Sequence, residues 1–182
     1  MSGEVLASVE LRPAVPMGAY HALGYICVLG AVEALRAQEF DVGIGWPFSI
    51  VDAQTYAALA EVRVRAGYDE GMFARCEVVA LQEGAAPFPA DVLVAGVTSR
   101  VDAWASDVAA GRAKAGPVAP VLSDYFDLVP LLGRPVRAFY PNGRVMAQGT
   151  FAGIDIWGRA TLRTGDGREL EFAPEQASIA SA

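Results

Sequence analysis

Apolar residues recur along this chain with two rhythms, and the rhythm changes near Gly133. Val5-Leu6-Ala7-Ser8-Val9-Glu10-Leu11 alternates well enough for a strand, which Arg12-Pro13 ends. From Met17 to Ala37 the pattern is helical, with Tyr20, Leu23, Cys27, Ala31, Ala34 and Leu35 near one stripe. The glycines in that stretch allow close packing against a sheet, although each costs about 1 kcal/mol relative to Ala. Phe40 to Ile44 and Phe48 to Val51 are strand candidates. Ala60 to Ala66 and Phe73 to Leu81 form an expected antiparallel pair around the turn-prone Gly67-Tyr68-Asp69-Glu70-Gly71. Gln82 to Pro89 is a Gly/Pro-punctuated connection to a helix that runs from about Asp91, read as its N-cap, to Ala109. Val94, Val97, Val101, Trp104 and Val108 mark the buried stripe of that helix. Leu122, Tyr125, Phe126, Val129 and Leu132 mark a further short helix, closed by Gly133-Arg134-Pro135.

Beyond that point the period becomes two. Val136 to Tyr140, Arg144 to Phe151, Ala160 to Arg163 and Glu169 to Phe172 read as short strands separated by Pro141-Asn142-Gly143, Asp155 to Gly158 and Gly165-Asp166-Gly167. Such a run predicts a small barrel. Its expected core comprises Val136, Val145, Ile154, Leu162 and Phe172. The boundary falls near Gly133, dividing the chain into 1–132 and 133–182.

Composition narrows the function classes. The 182 residues are 53% hydrophobic and 19% charged, which suits a packed core rather than extended disorder. A net charge of −7 argues against nucleic acid, whose phosphates are neutralised mainly by Lys and Arg. The longest apolar stretch, around Tyr20 to Leu35, is interrupted by His21, Gly24, Gly30 and Glu33, so no membrane span is expected. Nor does a basic segment followed by a short apolar run open the chain, so no signal peptide is expected. Cys27 and Cys76 sit in apolar runs without framework spacing and read as buried free thiols of a cytoplasmic protein.

Gly45-Trp46-Pro47-Phe48-Ser49 follows an apolar, strand-like run and is the most informative segment of the chain. It resembles the Lys-Trp-Pro-Asn-Asp signature of biotin protein ligases, with the Trp-Pro core kept. Gly45, Phe48 and Ser49 stand at the lysine, asparagine and aspartate positions. The tail carries the second likeness. Leu132-Gly133-Arg134-Pro135-Val136, Gly149-Thr150-Phe151-Ala152-Gly153-Ile154-Asp155, Gly158 and Ala160 to Arg163 resemble the SH3-like C-terminal barrel of that family. Glu175-Gln176-Ala177-Ser178-Ile179 stands where the family often has a Gly-Glu-Val-Ser-like ending. The resemblance spans Val5 to Ile179. It does not include the family's Ser-Thr-Asn motif or its Gly-Arg-Gly-Arg-Arg-Gly-type loop, so it implies the distal half of a ligase domain plus the barrel. Counted from Trp46, the family's Lys-Leu-Ala-Gly-Ile motif falls on Tyr56-Ala57-Ala58-Leu59-Ala60, with Tyr56 at the lysine. The later Gly-Ile-Asn segment falls near Ala80-Leu81-Gln82.

The resemblance therefore implies an α+β fold: a truncated mixed β-sheet packed with helices, of the class II synthetase and biotin ligase type, then a small SH3-like barrel. It implies ligand-binding positions at Gly45, Trp46, Pro47, Phe48, Ser49 and Tyr56, and no catalytic or metal-binding residue. Trp46 and Pro47 either floor a ligand pocket or serve as core packing and a strand cap. Gly45 and Phe48 point to a pocket filled by a ring, or left open, rather than one that holds a phosphate. Adenylation needs positive charge against ATP and usually a carboxylate-held magnesium ion, and loss of one charged stabiliser typically costs about 3 kcal/mol. A non-catalytic binding or regulatory protein without cofactor is thus the expected function. The alternative is one subunit of a split biotin–[carboxyl carrier protein] ligase, using ATP, magnesium and biotin and completed in trans by a separate N-terminal half. The expected partner is another protein, or a second copy, paired along the free sheet edge, with no nucleic acid and no membrane. Among the remaining polar residues, His21 reads as a helix-surface residue and Asp155 as an acceptor of turn backbone hydrogen bonds. Arg63, Arg65 and Arg75 read as part of a solvated face balanced by Glu61, Glu70 and Glu77.

Overall fold

Alternation makes Val5–Leu11 the first strand, β1, and the stop at Arg12-Pro13 ends it. The computed structural model describes residues 3–81 and 88–182. A 3₁₀ turn, Met17–Ala22, leads into α1, Leu23–Ala37. The chain then runs through β2, Val42–Gly45, β3, Ser49–Asp52, β4, Ala58–Tyr68, and β5, Met72–Ala80. These strands form one sheet in the order β1-β5-β4-β3-β2. Every pairing in it is antiparallel, where a mixed sheet was expected. The reason is local: β2 to β5 are joined by short turns, which can link only antiparallel neighbours, and β1 adds to β5 in the same sense. The α1 crossover carries the chain from one edge of the sheet to the other.

α1 is buried along almost its whole length because it lies between the sheet and α2, Ala90–Ala109. By length and composition Met17–Ala37 is apolar enough to cross a membrane, yet 72% of its most apolar 18-residue stretch is buried within the protein. Its glycines act at different neighbours than a helix-on-sheet reading implies. A Cβ on Gly30 would sit 2.5 Å from the carbonyl oxygen of Gly96, and one on Gly96 would sit 2.4 Å from Cβ of Ala34. The two helices thus cross backbone to backbone. α2 buries Leu93, Val97, Val101 and Trp104. Its N-cap is Pro89, with no side-chain cap; Asp91, expected as the cap, lies inside the first turn, where its charge favours the helix dipole. Arg100 on α2 ties the layers together, pairing with Glu33 of α1 at 3.5 Å and with Asp124 of α3, Leu122–Asp127. The Gln82 to Pro89 connection lies mostly outside the described residues.

The two-residue rhythm after Gly133 produces a second antiparallel sheet, in the order β10-β6-β7-β8-β9. Its strands are β6, Pro135–Phe139, β7, Val145–Ile154, β8, Ala160–Arg163, β9, Glu169–Phe172, and β10, Ser178–Ser181. Val136, Ile154, Leu162 and Phe172 are buried as expected, joined by Ala138 and Phe151. Val145 is not: it is 49% exposed. A register shift between Ala138 and Phe139 breaks the alternation at that end of β7, which reverses the facing of the residues beyond it. Leu162 is fully buried. Leu162→Ala is expected to cost about 3 kcal/mol, measured by denaturant unfolding, and a loss under 1 kcal/mol would show that this sheet has no tight core.

Candidate functional site

Gly45-Trp46-Pro47-Phe48-Ser49 is the turn of the β2–β3 hairpin, where Gly45 pairs with Ser49. The Trp46–Pro47 peptide is cis. Trp46 is only 3% exposed, and its indole Nε1 donates to the carbonyl oxygen of Gly158 at 3.0 Å. The hydroxyl of Tyr25, on α1, donates to the same oxygen at 2.7 Å. Tyr125, on α3, donates its hydroxyl to the carbonyl of Pro47 at 3.1 Å. Burial raises the pKa of both phenols, so each keeps its donor proton. Four parts of the molecule therefore meet here: α1, α3, the β2–β3 turn and the β7–β8 turn that holds Gly158. Gly158 has φ +88, and a Cβ on it would lie 2.2 Å from Cζ of Tyr25.

The ring of Phe48 fills the space beside α1. It packs edge-on to Tyr25 at 4.8 Å, and a Cβ on Gly24 would lie 2.6 Å from it. Gly45 has no room for a longer side chain, since its Cβ would lie 2.6 Å from Cγ1 of Val51. Ser49 is half-buried on β3 opposite Glu61. Tyr56 lies in the next turn, at φ +62, where its N–H donates to the carbonyl of Asp52 at 2.9 Å and its ring packs on the core. The Asp52 side chain organises that turn, accepting from Thr55 N at 2.7 Å and Gln54 N at 3.0 Å. Those bonds, from Thr55 first, lower its carboxyl pKa.

The structure thus gathers residues 45–49 into one turn and sets Tyr56 one strand further on. None of these side chains is a cation, and the Phe48 ring takes up the space beside α1. They do not fit a phosphate or a carboxylate-held metal ion. Gly24, Tyr25, Tyr125 and Gly158 complete the cluster. In the sequence Gly158 stands out as a glycine at a turn, Tyr125 as part of a helical stripe and Gly24 as a helix glycine, but nothing there links any of them to Trp46. Asp155 does accept turn backbone bonds, from Trp157 and Arg159, each at 2.9 Å. His21 is exposed and stacks on Trp157 at 5.7 Å. Cys27 and Cys76 are both buried free thiols; the hydrogen bond between them, then burial, raises the Cys27 pKa.

An antiparallel sheet backed by two crossed helices, followed by a second five-stranded antiparallel sheet, defines an α+β protein. This arrangement is similar to that of solved biotin protein ligases. The apo biotin protein ligase from Aquifex aeolicus superposes with a TM-score of 0.65 at 15% identity, covering 96% of this chain and 81% of that one. A biotin protein ligase-like protein of unknown function from Silicibacter sp. TM1040 gives 0.61 at 20% identity, covering 92% and 77%. The biotin acetyl coenzyme A carboxylase synthetase from Helicobacter pylori, solved with biotinylated ATP, gives 0.52 at 13% identity, covering 90% and 72%. No family model matches the sequence, and no curated protein matches it. The chain has a biotin protein ligase-like fold.

Proposed function

We propose that this protein keeps the ligase-like fold as a binding or regulatory module and does not itself catalyse biotin transfer. The observation that carries this reading is the packed state of the Trp-Pro turn: Trp46 bonds to Gly158, Phe48 packs on Tyr25, and Gly45 abuts Val51. Gly45, Trp46, Pro47, Phe48, Ser49 and Tyr56 are, on this reading, a structural hub where the ligases bind their adenylate. Two buried free thiols support a reducing, cytoplasmic setting. The core of Val136, Ala138, Phe151 and Leu162 supports reading 133–182 as an SH3-like barrel with its own interior.

The test is biotin-dependent release of pyrophosphate from ATP, together with transfer to a biotin carrier domain. No turnover above a control without protein is expected. Gly45→Lys is expected to leave that result unchanged, because one restored charge supplies only part of the stabilisation that adenylation needs. Turnover by the wild-type chain alone would overturn the proposal. A second reading, favoured by the place of β1 at the end of its sheet, is a complex with another chain along that edge. If that chain supplies the ligase motifs, ATP, magnesium and biotin enter with it. Its presence in the same assay would then produce turnover.

A further inference from the structure

The hairpin of β4 and β5 turns its polar face away from the helices, and its register sets two like charges opposite each other. Arg65 pairs directly with Arg75, while the next position on the same face sets Arg63 against Glu77. The solvated balance expected of these residues is only partly realised. Arg63 is held by Glu61 at 2.9 Å, and Arg75 reaches Glu10 at 3.9 Å. Glu10 is itself engaged by Arg12 at 2.8 Å, and Arg12 forks onto Asp69 at 2.7 Å and 2.9 Å. Among the described residues no carboxylate lies within ion-pair distance of Arg65. Like charges directly opposite on a strand pair are destabilising, so this arrangement favours an anion between them.

A cavity of about 240 Å³ opens at that point, lined by Arg65, Ala66, Phe73, Arg75 and Glu77. Phe73 is a fixed wall. A Cβ on Gly67 would lie 2.5 Å from its Cζ, and the Arg12 guanidinium sits 5.2 Å from its ring centre. The lining holds Arg65, Arg75 and Glu77; Arg75 also reaches Glu10, so Arg65 is the guanidinium for which no carboxylate lies within ion-pair distance among the described residues. One carboxylate neutralises Arg65, accepting from two guanidinium forks, and the phenyl wall receives an apolar body. The Trp-Pro turn is not involved: it pairs with β4 at Glu61, four residues before Arg65.

We propose that this face binds a small organic monocarboxylate, with the carboxylate between Arg65 and Arg75 and the apolar part against Phe73. The probes are benzoate and its neutral isostere benzamide, titrated into the whole protein. The readout is the side-chain Nε–H resonances of the arginines, with backbone amide spectra confirming the fold. Benzoate is expected to shift Arg65 and Arg75 saturably, and benzamide to leave them in place. Arg65→Gln and Arg75→Gln are each expected to weaken benzoate at least about tenfold, as removal of a charge-assisted hydrogen bond does. Arg65→Lys, which keeps the charge without the fork, falls between. Glu77→Gln is expected to tighten binding several-fold, and Arg168→Gln to change nothing. Equal shifts at Arg144 and Arg168, equal shifts with benzamide, or benzoate binding that survives Arg65→Gln would each overturn the proposal. None of these outcomes depends on ligase activity, so a failure here leaves the proposed function standing.

Discussion

Gly158→Ala is expected to lose about 4 kcal/mol of stability. The new Cβ would fall 2.2 Å from Cζ and 2.4 Å from the hydroxyl oxygen of Tyr25, a ring that is itself buried. Overpacking of that kind costs about 1–3 kcal/mol, and the left-handed backbone at φ +88 adds about 1 kcal/mol for a residue with a Cβ. Displacement of the turn then weakens two hydrogen bonds to one carbonyl, each worth about 1 kcal/mol. Thermal unfolding checks the sum: for a chain of this size the midpoint should fall by about 10 °C. Tyr25→Phe, which removes a single donor, should cost about 1 kcal/mol. If Gly158→Ala costs no more than Tyr25→Phe, the β7–β8 turn is free to move, and the hub described above does not hold the two sheets together.

That hub separates what the sequence discloses from what it conceals. Strand and helix positions were legible wherever one rhythm persisted. The β4–β5 hairpin follows from two alternating runs around Gly67 to Gly71, and α2 from its spaced Val97, Val101 and Trp104. The misreadings have local causes. Val145 lies past a register shift that reverses facing without altering composition. β10 was missed because Ser-Ile-Ala-Ser carries little β-propensity and owes its extended state to pairing with β6. Asp91 has the right chemistry for a cap, but Pro89 takes the position. For the candidate site, the burial of Trp46 follows from its size and apolar setting. Its acceptor could not be foreseen, because Gly158 is 112 residues away and only the assembled fold brings its carbonyl to the indole. The same holds for Arg65 and Arg75: an alternating strand shows that each faces out, and only the register shows that they face each other.

β1 is expected to associate. It is an edge strand of the first sheet, bonded to β5 on one side, with no strand among the described residues on the other. α2 covers its inward face, and Val5, Ser8 and Glu10 remain exposed. The seven residues contain no lysine and no proline, the usual means of blocking such an edge. The expected outcome is a dimer, or a complex with a partner that pairs with this strand. A specific interface of either kind should bury at least about 1,000 Å². Antiparallel pairing about a two-fold centred on the strand brings Ser8 opposite its own copy. Ser8→Lys then sets two like charges face to face, a juxtaposition that costs several kcal/mol, and should weaken the dimer more than about hundredfold while sparing the exposed position's own fold. Sedimentation of the wild-type chain at micromolar concentration checks this directly. A dimer that Ser8→Lys dissolves supports pairing of β1 with itself. A monomer that becomes a complex only with a second chain supports a heterologous partner, and should lose it on the same substitution. A monomer that captures no partner through β1 would mean that the edge is tolerated in isolation, with Glu10 and Arg12 at its end keeping other strands away.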